Sequence, residues 1–148
     1  MEKCWRNDKL YSRKRSMIFK LGNKFKEGFI LKNETYQGFI EVFKDKNPLH
    51  TYHQFALDKG FNGIVMHGNI LNGFLSFFIG EKLPTKDVII HSQEIQFKNA
   101  VYLNDELQFN AEIIGIYESV NAIEFKYDFK NKDEKIVAKG KFKIGLLK

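Results

Sequence analysis

The chain has 148 residues, with 24 Lys plus Arg against 18 Asp plus Glu, a formal net charge of +6. That is the length of one domain with a real core, and 43% hydrophobic and 28% charged residues exclude disorder over the whole chain. No apolar run approaches the ~20 residues that span a bilayer, and the basic N-terminus is not followed by the apolar core of a secretory signal.

The basicity is concentrated at one end. Residues 1–16 hold Lys3, Arg6, Lys9, Arg13, Lys14 and Arg15 against Glu2 and Asp8, so they carry +4 of the +6. They read as a flexible basic extension, with one domain over residues 17–148. The body is nearly balanced and shows no nucleic-acid reader motif. Cys4 is the only cysteine, so no intramolecular disulfide is possible. That fits a reducing compartment, and a cytoplasmic protein is expected.

In chain order, Gly28–Leu31 reads as a short strand. Asn33 is a candidate N-cap for a helix over Glu34–Phe43, with Phe39, Ile40 and Phe43 on one face. Pro48 ends that helix, which leaves Asp45–His50 as a loop. Tyr52–Lys59 forms a second short helix closed by Gly60. From Gly68 to about Glu81 the pattern is apolar nearly all round, the mark of a buried helix. After Pro84 the period changes to two. Val88–Phe97, Glu106–Tyr117, Ala122–Phe129 and Lys135–Leu146 read as strands separated by turn residues. Connections this short demand antiparallel neighbours. The fold class is therefore α+β, an antiparallel sheet of at least five strands curled around one buried helix. The 15 Phe, 6 Tyr and 1 Trp are divided between that helix, the sheet and any apolar pocket.

Three chemical features cluster between Asp45 and Ser76. Asp45-Lys46-Asn47-Pro48-Leu49-His50 offers a carboxylate, an amide and an imidazole within six residues, on a loop stiffened by proline. His67-Gly68 opens the buried helix, where unpaired N–H groups and the positive dipole end can hold a developing oxyanion. Ser76 lies two turns further along. His53 and His91 have no motif around them. The four histidines lack a metal-ligand spacing such as His-Glu-x-x-His, so no metal site is expected.

Taken with Phe55-Ala56, Gly60-Phe61, Ile79-Gly80-Glu81-Lys82-Leu83-Pro84 and the run Phe97–Glu106, this order of motifs resembles the MaoC-like hydratases. These are the (R)-specific enoyl-CoA hydratases and (R)-3-hydroxyacyl dehydratases of hot-dog fold. The resemblance runs from about Phe25 to the C-terminus. It implies Asp45 as general base and His50 as its partner on a shared water. It also implies the Gly68 N–H as donor to the substrate carbonyl, with Asn47, Ser76 and His67 in support. It implies no cofactor, since the thioester itself acidifies C2. The implied partners are an acyl-CoA or acyl carrier protein thioester and a second copy of the chain in a homodimer, with no nucleic acid and no membrane. A hot-dog acyl-CoA thioesterase and a non-catalytic acyl-thioester binding module are the alternative readings. Two positions depart from the family pattern: Lys44 stands where glycine is common before the Asp, and Tyr52 where Asp is common after the His.

Overall fold

Alternation organises the first strand. In a computed structural model, which describes residues 18–147, β1 (Lys24–Ile30) turns Phe25 and Phe29 toward the interior and leaves Lys24, Lys26 and Gly28 exposed. Residues 1–16, expected as a basic extension, lie outside the described residues.

Helix α1 (Asn33–Phe43) follows. Its N-cap is Lys32, which makes no side-chain cap bond, so Asn33 is the first helical residue and not the expected cap. The expected loop over Asp45–His50 is partly helical: α2 (Pro48–Thr51) has Pro48 in its first turn, where a missing N–H costs nothing. Next comes α3 (His53–Asp58), and Gly60 beyond it takes φ 86°. The long helix α4 (Asn69–Phe77) continues through a π-turn over Phe78–Lys82.

Four strands complete the sheet: β2 (Val88–Phe97), β3 (Glu106–Tyr117), β4 (Ala122–Lys130) and β5 (Ile136–Leu146). All pairs are antiparallel, in the order β1-β3-β4-β5-β2. The sheet's inner face presents Phe109, Phe125, Tyr127, Phe129, Phe142 and Ile144 to Ile70, Leu71, Leu75, Phe78 and Ile79 of the helix. Ring pairs tie this core together, with Phe78 4.7 Å from Phe109 and Phe125 stacked at 4.5 Å on Phe142. Such pairs contribute about 0.5–1.5 kcal/mol beyond their burial.

Two expectations are corrected here. Helix α4 is not buried all round, because the sheet wraps one side only and leaves Gly73, Ser76, Phe77 and Gly80 exposed. In β5 the alternation slips at its start. Phe129 pairs with Ala138 but Lys130 with Ile136, and the bulged Val137 is fully buried.

The sheet's far edge depends on one glycine. Tyr127 stands opposite Gly140, and its hydroxyl crosses β5 to donate to the Glu94 carbonyl on β2 at 2.9 Å. A Cβ on Gly140 would lie 2.0 Å from that carbonyl oxygen, so only glycine lets β2 approach.

Candidate active site

The loop after α1 is built by its own polar side chains. Lys44 ends the helix in the left-handed region (φ 60°, ψ 16°), its N–H bonded to the Ile40 carbonyl. This turn directs the chain into Asp45, whose Oδ1 accepts the Asn47 N–H at 3.1 Å. Asn47 Oδ1 accepts the Leu49 N–H at 2.9 Å and so caps α2. Thr51 Oγ1 donates back to the Lys46 and Asn47 carbonyls.

These bonds bring the two expected residues of the loop to one place. The His50 ring is half-buried, and Nδ1 donates to the Val65 carbonyl at 2.7 Å. That bond fixes the tautomer and leaves Nε2 as the free nitrogen. Behind it lies His67, 3% exposed, its ring centroid 4.1 Å from that of His50 at 33°. Phe39 packs 4.6 Å from the His67 ring and Tyr36 6.0 Å. His67 Nε2 donates to the Asp45 carbonyl at 2.9 Å. The same nitrogen is 3.9 Å from Asp45 Oδ2, an electrostatic contact too long for a hydrogen bond.

Asp45, His50 and His67 each offer one ligand-type atom within 4.8 Å of the others. The group could be considered for a divalent cation, and residue spacing alone did not reveal it. A tetrahedral zinc would need donors at about 2.0–2.2 Å from one point. Here the two imidazoles lie 4.1 Å apart and tilted by 33°, and each ring already donates one nitrogen to a backbone carbonyl.

Gly68 is the N-cap of α4, so its N–H lies in the first turn, beyond reach of any carbonyl of that helix. A Cβ there would lie 2.8–3.1 Å from three carbons of the Phe97 ring. Gly68 and Phe97 line a cleft of about 420 Å³ with His50, His67, Met66 and Leu71. A larger depression, about 580 Å³, lies on the outer face of the sheet between Lys and Glu side chains such as Lys126 and Glu94. The smaller cleft is the candidate site, because the imidazole pair and the helix start meet only there.

Not every expected residue arrives. Asn47 is exposed and shapes the loop. Ser76 is exposed and lies outside both the cluster and the cleft, eight residues from Gly68 and so about 12 Å along the helix axis. Conversely, Tyr36 is a site residue that sequence reading missed. It is buried, and its hydroxyl donates to the His50 carbonyl at 2.5 Å. Burial pushes that hydroxyl above its ordinary value near 10. Its only signal in the sequence was its place three residues before Phe39 on α1.

Comparison with known proteins decides the family. A profile of the MaoC like domain matches residues 22–134, most of the chain. The chain belongs to the MaoC-like domain family. This MaoC-like domain is 28% identical, over 83% of its length, to a mitochondrial 3-hydroxyacyl-[acyl-carrier-protein] dehydratase of Arabidopsis thaliana, and the match spans 75% of that protein. It is 32% identical over 54% of its length to the (R)-specific enoyl-CoA hydratase of Aeromonas caviae, spanning 60% of that relative. Among solved structures, the (R)-hydratase from A. caviae superposes with a TM-score of 0.79 at 23% identity, over 86% of this chain and 97% of that one. An R-hydratase from Pseudomonas aeruginosa gives 0.79 at 24% identity, over 88% and 83%. The fold is thus the hot-dog fold of these R-hydratases.

Proposed function

We propose that this MaoC-like domain adds water to trans-2-enoyl thioesters, or runs the reverse dehydration of (R)-3-hydroxyacyl thioesters. The observation that carries this reading is that Asp45 offers a carboxylate oxygen within 4.8 Å of ring nitrogens of His50 and His67, and that these two rings line one cleft with Gly68 at the start of α4. The names of the relatives, hydratases and dehydratases of CoA and acyl-carrier-protein substrates, support it.

The chemistry needs an acid and a base beside one water. Asp45 takes a proton from that water as its oxygen bonds to C3. His50 holds the water through Nε2, receives there the proton that leaves Asp45, and delivers it to C2, so both groups end as they began. The C2=C3 π bond becomes the C2–H bond, so the product is the 3-hydroxyacyl thioester and atoms balance. Charge gathers on the thioester oxygen in between, and the Gly68 N–H is placed to hold it. Loss of one such donor typically costs about 2.7–4 kcal/mol. No metal or organic cofactor takes part in this scheme. Asn47 shapes the loop and His67 supports it, while Ser76 stands apart from both on the exposed side of α4.

The reading extends to a homodimer. Asp45 is exposed, β2 leaves Ile89, Ile90 and Phe97 exposed, and α4 leaves Phe77 uncovered. A second copy laid along β2 and α4 would cover these groups and close the site. Among the described residues no helix is long and apolar enough to cross a membrane. A cytoplasmic site of action rests on the single cysteine and on the lack of a secretory-signal pattern, and fractionation of tagged protein against cytosolic and mitochondrial markers tests it.

The test of the reaction is the absorbance of the enoyl thioester. Crotonyl-CoA should lose its conjugated absorbance with the wild-type protein, with no free thiol released. Thiol release in place of hydration would mark a thioesterase and overturn the reading.

A further inference from the structure

The backbone of the Asp45–His50 loop is held from outside at both ends. At one end His67 Nε2 donates to the Asp45 carbonyl, and at the other the Tyr36 hydroxyl donates to the His50 carbonyl. The donors come from two other elements, α1 and the start of α4. Between these points the loop is braced by its own Asp45 and Asn47 side chains.

His67 has a feature that core filling does not explain. Its Nδ1 is the one buried side-chain polar atom among the described residues without a hydrogen-bond partner. An unpaired buried polar atom is a net cost to the fold, which an apolar residue of similar volume would avoid. The compensation lies on the other side of the ring, at Nε2. That N–H fixes the main chain of Asp45 and stands 3.9 Å from its carboxylate. The ring also backs His50 at 4.1 Å. One side chain therefore sets the position of both groups that the reaction uses.

We propose that His67 and Tyr36 are positioning residues, a two-point clamp that fixes the separation of Asp45 and His50 through their main-chain carbonyls. The proposal rests on the hydration reading above. His67 acts through Asp45 and Tyr36 through His50, and neither exchanges a proton with substrate.

The experiment uses three variants of the full chain, His67→Leu, His67→Gln and Tyr36→Phe, with two readouts. The first is kcat and KM on crotonyl-CoA. A clamp acts on geometry, so His67→Leu should lower kcat by about 10-fold or more with KM nearly unchanged. His67→Gln, whose side-chain N–H can still reach the Asp45 carbonyl, should recover most of that loss. Tyr36→Phe, lacking only a hydroxyl, should also lower kcat. The second readout is amide hydrogen exchange, which needs no activity. The His50 and Tyr52 amides should exchange faster in His67→Leu and Tyr36→Phe, with β4 amides unchanged. Unchanged kcat in both, a rise in KM alone, or unchanged exchange of the loop amides would overturn the clamp. A wild-type protein that does not hydrate crotonyl-CoA would overturn the reaction instead, and the exchange readout would still decide the clamp.

Discussion

Lys44 shows how a departure from a family pattern acts at the scale of one residue. Its backbone is left-handed, φ 60°, a region that costs an L-residue roughly 1–2 kcal/mol. Glycine there would remove that cost but add freedom to the unfolded chain. Lys44→Gly should therefore raise stability, by at most about 1 kcal/mol in denaturant titration, with the Asp45 turn intact. Gly68 is sensitive for the opposite reason, since any side chain meets the Phe97 ring. Gly68→Ala should lower kcat/KM by about 10-fold or more, and Phe97→Ala in the same chain should restore part of it, because the double variant removes the clash. The sequence made Asp45 and His50 legible because five residues of one loop fix their relation. It did not reveal the clamp, because Tyr36 and His67 reach the loop from 14 and 22 residues away. Such contacts leave no local spacing to read.

At the scale of elements, period two in β2 to β5 marked the strands almost to the residue; β3, β4 and β5 each bury one face, while β2 is mostly exposed at the edge. The all-apolar stretch of α4 misled, since composition records what a helix can bury and not which side the sheet covers. Val137 escaped for a similar reason, as a bulge shifts the alternation without changing composition. The bond from Tyr127 to Glu94 gives this level a pH test. Burial, with the Glu94 charge in second place, raises the Tyr127 hydroxyl from its ordinary 10.0 to about 12. A raised value means the folded state holds the proton more tightly. The stabilisation is fully present below pH 10 and is lost as pH rises toward 12, by at most about 1.4 kcal/mol per pH unit. Melting curves from pH 9 to 12 should show wild type falling toward Tyr127→Phe, which lacks the titrating group. In the core, Phe78→Ala should cost about 3–5 kcal/mol, read as a loss in denaturant midpoint, because its ring is 1% exposed between helix and sheet.

For the whole molecule, composition carried less than it first suggested. The net +6 belongs mostly to residues 1–16, and the sheet's outer face alternates Lys with Glu and Asp. The aromatic excess has a structural place, since Phe29, Phe78, Phe109, Phe125, Phe129 and Phe142 meet in one interior. The surfaces left over, β2 and the Phe77 side of α4, are where a second copy is expected. Light scattering of the purified protein should return twice the 17.4 kDa chain mass, and Phe77→Arg should shift it toward the monomer. The central claim is tested most directly by the initial rate of crotonyl-CoA hydration in wild type, Asp45→Asn and His50→Ala. The expected result is a measurable wild-type rate that falls by about 10²-fold or more in each variant while melting temperatures stay close. A wild-type rate that both variants retain would contradict the assignment of the reaction to Asp45 and His50.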